Sequence, residues 1–212
     1  MKLWSNSFVD QAAIPAEFAF VAIDPTRHVA LSENTNPHLA WDETPTGTQS
    51  LVLICHDKDV PSRGDDVNQE GREVPDSLPR VDFFHWILID IPPTWREIEA
   101  GSHSHGVTPR GKAGPVIPNI DNGMRHGIND YTGWFANDPD MRGEYYGYDG
   151  PSPPWNDSLV HHYIFTLYAL DIAKLEIGGQ ITGPVVREAI KKHILAESAI
   201  TGRYTLNPRL II

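Results

Sequence analysis

Thiols and positive charge are both scarce in this chain. Cys55 is the one cysteine, so no intrachain disulfide can form and the fold does not depend on an oxidising compartment. Long apolar runs are also missing. No stretch approaches the roughly 20 apolar residues of a membrane-spanning helix. The N-terminal MKLWSNSFVDQAAIP lacks the apolar core of a signal peptide and carries Asp10 early. Lys plus Arg number 17 against 28 Asp plus Glu, a formal net charge of −11. That balance repels nucleic acid and anionic membrane surfaces at long range. It does not exclude a local anion site, which needs only a few aimed donors. The reading is a cytoplasmic protein with no nucleic-acid partner and no membrane span.

A 40% hydrophobic content over 212 residues is enough for one core, so residues 1–212 read as a single domain. Three runs read as buried strands: LVLIC (51–55), FFHWILIDI (83–91) and YIFTLYAL (163–170). Each is short, rich in β-branched or aromatic residues and bounded by turn formers. Weaker alternation marks FAFVAI (18–23) and HVALS (28–32), and Tyr204 to Leu206 could form a last strand. One helix is well signalled. Thr182 or Gly183 caps it, Pro184 suits its first turn, Val186, Ile190 and His193/Ile194 recur at helical spacing, and Gly202 follows its end. Residues 101–158 differ in kind: ten of the 17 glycines fall within 101–150. This reads as a long, ordered loop region, functional by its length. Its aromatics (Tyr131, Trp134, Phe135, Tyr145, Tyr146, Tyr148, Trp155) are expected to pack back on the sheet. The class is mostly β with peripheral helices.

Several patterns could carry chemistry. Asp57 and Asp59 follow the LVLIC run in CHDKDVPSR, but a calcium loop fails there, because Pro61 and Asn68 fill the fifth and twelfth ligand positions. DPDMRGEYYGYD (138–149) imitates the same template and reads better as a capped turn. His85 lies inside a very apolar strand. His161 and His162 are adjacent in LVHHYIF and point to opposite faces. None of the ten histidines has zinc-site spacing or a cysteine companion, so no metal or cofactor is implied. Ser152, in G-P-S-P-P, lacks the G-x-S-x-G nucleophile elbow, and its flanking prolines remove N–H donors an oxyanion hole would use. Cys55 reads as an inert core thiol.

In their order along the chain these pieces resemble the phosphatidylethanolamine-binding proteins, also called the Raf kinase inhibitor family. D-x-D-x-P follows an apolar strand, a His sits in the second, a Gly-Pro turn comes next, and L-x-H-x-Y enters the third. VDFFHWILIDIP, GINDYTGWF, YYGYDGPSPPW and HHYIFTLYALD look most like its prokaryotic Raf-kinase-inhibitor-like branch. The resemblance spans about residues 18–206. It implies an antiparallel β-sandwich with a few helices at the edge and a small anion pocket at one end of the sheets. By motif, that pocket takes Asp57, Asp59, Pro61, His85, Gly150, Ser152, Pro153, His161 and Tyr163, and Pro61 follows a cis bond. His162 stands where the family motif has Arg.

None of the matched positions is Lys or Arg. An anion would rest on His85, His161, the Tyr163 hydroxyl and N–H groups near Gly150 and Ser152. Asp57 would then either hold a proton or pair with a cationic histidine. The leading function is a non-enzymatic binding module for phosphate, phosphoethanolamine-like or carboxylate anions, modulating a protein partner such as a kinase or protease. The alternative is a hydrolase of small phosphoesters using an Asp/His pair, and the missing nucleophile argues against it. The aromatic-rich loop region makes a homodimer a candidate assembly.

Overall fold

The three apolar runs are apolar on both faces of an extended chain, and burial from both sides is what they receive. The computed structural model describes residues 1–118 and 123–210. Strands β1 (Lys2–Trp4), β2 (Val21–Asp24), β3 (His28–Leu31), β4 (Leu39–Asp42), β5 (Ser50–Pro61), β6 (Arg80–Ile91), β7 (Glu97–Ile98) and β8 (Arg125–His126) come first. Helix α1 (Tyr131–Trp134), strand β9 (His161–Leu170), helix α2 (Gly183–Ile190) and strand β10 (Ile194–Tyr204) follow. A five-stranded antiparallel sheet runs β10-β9-β5-β6-β8, beside a three-stranded sheet β1-β4-β7 and the β2-β3 hairpin. The fold is mostly antiparallel β, with two α-helices among the described residues.

Alternation along β5 and β9 sends Leu51, Leu53, Cys55, Phe165 and Leu167 to one side of the large sheet. There they join Leu3, Leu39, Trp41 and Ile98 of the smaller sheet in one apolar cluster. Val52, Ile54, Ile87 and Ile89 go to the other side, beneath Val186 and Ile190 of α2. Each such side chain contributes about 1.5–3 kcal/mol by burial, so the sheet holds the site on a stiff support.

Three expectations need correction. The Val60–Pro61 bond is trans; the cis X-Pro bond among the described residues is Gly114–Pro115. β5 stays extended through Val60, opposite Val81, and Pro61, opposite Arg80, and at a strand end the missing proline N–H is tolerated. The helix stops at Ile190, and β10 begins at Ile194, well before Tyr204. Small and polar residues on β10 hide its period of two. Trp134 does not pack back on the sheet: it is 55% exposed, whereas Tyr131, Tyr145 and Tyr148 are buried. In DPDMRGEYYGYD, Asp138 Oδ1 accepts the N–H groups of Asp140 and Met141, a capped turn.

Candidate binding site

Asp57, on the central strand, sits opposite Phe83 of β6 and Tyr163 of β9. All three face the side of the sheet that carries Leu53 and Cys55. Regular alternation from Trp86 would turn His85 to the opposite side. It does not, because the β5–β6 register steps from Cys55↔Trp86 to His56↔Phe84. His85 is the extra residue of a β-bulge, and the bulge aims its ring at the side of Asp57 and Tyr163. The ring stacks edge-on against Tyr163 and Tyr131, with centroids 5.1 and 5.6 Å away.

Behind this floor runs a buried chain of charges. His161 Nδ1 donates to Asp57 Oδ2 at 2.6 Å, and His161 Nε2 to Asp157 Oδ2 at 3.0 Å. Asp157 in turn accepts two hydrogen bonds from Arg80, at 2.6 and 3.1 Å. Asp57, His161 and Asp157 are each 1% exposed or less. Burial alone would lower the His161 pKa. The Asp57 charge and hydrogen bonds to both carboxylates outweigh it and push the value up to about 9. Burial would raise the Asp57 value, but the His161 charge and hydrogen bond, aided by His85 and the Asp59 N–H, hold it below the usual carboxylate range. Of the two routes open to Asp57, it is therefore the ionised carboxylate paired with an imidazolium. Both ring nitrogens of His161 are occupied.

His85 differs. Its Nδ1 lies 2.7 Å from the Asp149 carbonyl oxygen. A carbonyl only accepts, so Nδ1 carries the proton. Burial lowers the His85 pKa, against a smaller opposing pull from Asp57 and the Asp149 carbonyl. The ring is neutral, and Nε2 has no protein partner among the described residues. The turn that sets this tautomer is itself held. The Asp149 carboxylate, 0% exposed, accepts from Asn34, Asn129 and Lys112 at 2.8, 2.8 and 2.7 Å. Gly150 N–H donates to Asn34 Oδ1 at 2.8 Å. Tyr163, 1% exposed, lies against the Asp57 carboxylate, whose charge and hydrogen-bonding contact both act on its hydroxyl, but the contact falls short of good geometry and leaves the hydroxyl without a well-formed partner. Burial first, then Asp57, raises its pKa well above 10.0, so it remains a donor.

These groups form the floor of a cavity of about 500 Å³ that also reaches Pro61, Ser152 and Pro153. Gly150 and Asp59 do not line it. Asp59 Oδ2 accepts the N–H of His162 at 2.9 Å and its ring Nδ1–H at 2.8 Å, so it braces that residue at the start of β9. Sequence reasoning missed the upper cavity, which is apolar: Phe20, Leu31, Val60, Val67, Phe83, Trp134, Phe135 and Met141 line it. Arg63 lines it too, as a rim cation near Asp65 (3.3 Å). Asp157 and Arg80 were also missed. Asp157 standing four residues ahead of His161 was the available signal. Among the described residues no group of three or more His, Cys, Asp or Glu could hold a metal ion.

The buried histidines make stability pH-dependent. Burial lowers His103 to about 4 and His126 to about 3, from 6.5. The folded state then binds fewer protons than the unfolded chain, so their cost grows as pH falls below 6.5. His161, raised to about 9, contributes stability fully present below 6.5 and lost as pH rises toward 9. The melting temperature is expected to peak at about pH 6–7 and to fall on both flanks. Thermal melts across the range check this, and a flat profile contradicts it.

A sequence model described as phosphatidylethanolamine-binding protein matches residues 4–205. The chain belongs to this family. Relatives of similar length include the UPF0098 protein YbhB of Escherichia coli (strain K12), 27% identical over 205 residues, covering 97% of this chain and 100% of that protein. A UPF0098 protein of Methanothermobacter thermautotrophicus is 31% identical over 205 residues, covering 96% and 98%. The crystal structure of E. coli YbcL, described as a new member of the mammalian PEBP family, superposes with a TM-score of 0.68 at 22% identity, over 96% of this chain and 97% of that one. CT736 of Chlamydia trachomatis gives 0.59 at 23% identity, over 96% and 95%. At those identities the two structures establish the fold of this family member.

Proposed function

We propose that this protein is a non-enzymatic binding module whose cavity takes a small anionic head group, phosphate, phosphoethanolamine-like or carboxylate, with an apolar body toward the mouth. One observation carries the reading: the Tyr163 hydroxyl, buried at the cavity floor with only a poorly formed contact to Asp57. An unpaired buried hydroxyl costs free energy that a ligand oxygen recovers. The His161 imidazolium cancels the Asp57 charge, so the floor does not carry net repulsion. Because both His161 nitrogens are spent, the histidine share of binding falls to His85. The apolar mouth, where Leu31 and Trp134 are 66% and 55% exposed, is the surface at which a kinase or protease partner would be engaged.

The hydrolase reading has less support. His161 has no free nitrogen to act as a base, and neither Ser62 nor Ser152, the serines that line the cavity, has a histidine partner among the described residues.

Calorimetric titration of O-phosphoethanolamine is expected to show affinity rising as pH falls from about 8 to about 5, and Tyr163→Phe is expected to weaken binding about tenfold. Affinity independent of pH would remove His85 from the reading. Full affinity in Tyr163→Phe would remove the hydroxyl. Turnover of a generic phosphomonoester, lost in both Asp57→Asn and His85→Ala, would favour the enzyme instead.

A further inference from the structure

A second cavity, of about 520 Å³, opens between β6, the start of α1 and the segment that leads into α2. Phe83 and Trp134 wall both cavities, but the charges differ. In the first, the Asp57 carboxylate is cancelled by the His161 imidazolium. In the second, Asp130 is the one ionisable residue among the described lining, with no Lys, Arg or His beside it. The backbone of β6 pins this carboxylate. Asp130 N–H donates to the Phe84 carbonyl at 3.0 Å, and Phe84 N–H donates back to Asp130 Oδ2 at 2.8 Å. Oδ1 has no protein partner among the described residues. The Gln180 amide and the Thr182 hydroxyl also line the cavity. Thr182 stands at the N-cap of α2, yet its side chain makes no capping hydrogen bond. The surroundings leave Asp130 without a countercharge. Burial raises its pKa above the usual carboxylate range, the Phe84 N–H opposes this, and the Asp82 charge on β6 adds to it. Arg187 of α2 is engaged elsewhere. It pairs with Asp82 and lies over the Phe84 ring, 4.6 Å from the centroid.

We propose that this second cavity binds a small organic cation, an ammonium or amidinium group on a short apolar or aromatic stem. The cation donates to Asp130 Oδ1, a charge-assisted hydrogen bond. The Gln180 and Thr182 oxygens serve as further acceptors at the rim. The stem lies along Phe83 and Trp134, whose ring faces attract positive charge. Trp134 is 55% exposed, and an occupant of this kind covers it. A metal ion fits the lining less well. One carboxylate between two aromatic rings falls short of the roughly six to eight oxygens that calcium takes, and among the described residues no group of three or more His, Cys, Asp or Glu could hold an ion. The proposal is independent of the anion reading, because it concerns a different carboxylate in a different cavity.

Benzylammonium and benzyl alcohol share a stem and differ in charge. By calorimetry at about pH 7, the amine is expected to bind about tenfold or more tightly than the alcohol, the worth of a hydrogen bond to a charged group. Amide NMR signals of Asp130, Gly133 and Thr182 should move with the amine, and those of His85 and Tyr163 should not. Asp130→Asn keeps an acceptor for the Phe84 N–H, so the fold is retained, and affinity for benzylammonium is expected to fall about tenfold. Trp134→Ala, at an exposed side chain, is expected to weaken it about two- to fivefold. Tyr163→Phe should bind the amine as wild type does. No binding of the amine, or equal affinity for amine and alcohol, overturns the proposal. Full affinity in a folded Asp130→Asn protein overturns the role given to its carboxylate. Signals moving at His85 and Tyr163 instead, with affinity lost in Tyr163→Phe, would place the amine in the first cavity and overturn the second site.

Discussion

Asp157→Ala is expected to lower the melting temperature by about 6–12 °C. Asp157 ends the buried charge chain, and its carboxylate is 1% exposed. It accepts His161 Nε2, both terminal nitrogens of Arg80 and the Leu159 N–H. Removing one partner of a buried pair costs about 3–5 kcal/mol, because the other charge stays buried without compensation. Here the lower end applies: the Arg80 side chain is 12% exposed and keeps the carbonyls of Asp59 and Pro75. About 3 kcal/mol corresponds to about 2–4 °C per kcal/mol in a chain of this size. Asp157→Asn keeps the shape and should lose less. The contrast is Glu188→Gln, which breaks only an exposed pair with Lys191, worth about 0.5 kcal/mol or less, and is expected to change the melting temperature by less than about 2 °C. Asp157→Ala should also flatten the alkaline flank of the pH–stability profile, since His161 keeps one carboxylate instead of two. A melting temperature within error of wild type would mean that the chain of charges carries no stability.

The parts legible in the sequence are those that repeat one physical signal over many residues. LVLIC, FFHWILIDI and YIFTLYAL announced β5, β6 and β9 because central strands are apolar on both faces, and Pro184 with Val186 and Ile190 announced α2. The Ile194–Tyr204 strand was hidden because its inward positions include Ala196, Ser198 and Gly202. Gly202 is needed there because an added Cβ would lie 2.3 Å from Ile14 Cγ1, a contact from a distant part of the chain. The site shows the same division. Asp57, His85, His161 and Tyr163 were found by motif order, and they do converge. Their roles were not legible. A bulge at a single register step decides where His85 points, and a backbone carbonyl decides its tautomer. His161 looked like an anion ligand until Asp157, from a turn with no apolar pattern, was seen to occupy its second nitrogen. Pro61 suggested a cis bond, but the pairing of Val60 and Pro61 with β6 keeps the chain extended. The apolar mouth gathers Leu31, Val67, Trp134 and Met141 from four separate segments, each of which reads in isolation as an ordinary loop or edge residue.

Gly150→Ala should damage both stability and binding, and it ties the loop region to the floor. A Cβ on Gly150 would lie 2.2 Å from the Phe18 carbonyl oxygen and 2.9 Å from Ala19 Cα. Both are backbone atoms, so no side-chain rotation relieves the overlap. The turn cannot simply slide, because it is fixed on several sides. Gly150 N–H donates to Asn34 Oδ1, the Gly150 carbonyl accepts the Tyr131 hydroxyl at 2.7 Å, and the Pro151 carbonyl accepts the Phe20 N–H at 3.0 Å. Overpacking costs about 1–3 kcal/mol where neighbours can yield, and this rigid surround places the change at the upper end, about 6–12 °C in melting temperature. Any shift of the turn also moves the Asp149 carbonyl that holds His85 Nδ1. The ring then loses its tautomer and aim, and O-phosphoethanolamine affinity is expected to fall about tenfold or more, the equivalent of a lost hydrogen bond to a charged group. Gly133→Ala provides the comparison within α1: nothing lies within 4 Å of its added Cβ, so stability should hold or rise by about 0.4–1 kcal/mol. Melting and titration of both variants decide the matter. Wild-type behaviour in Gly150→Ala would mean that the turn yields without disturbing His85, and that the bulge alone sets the ring.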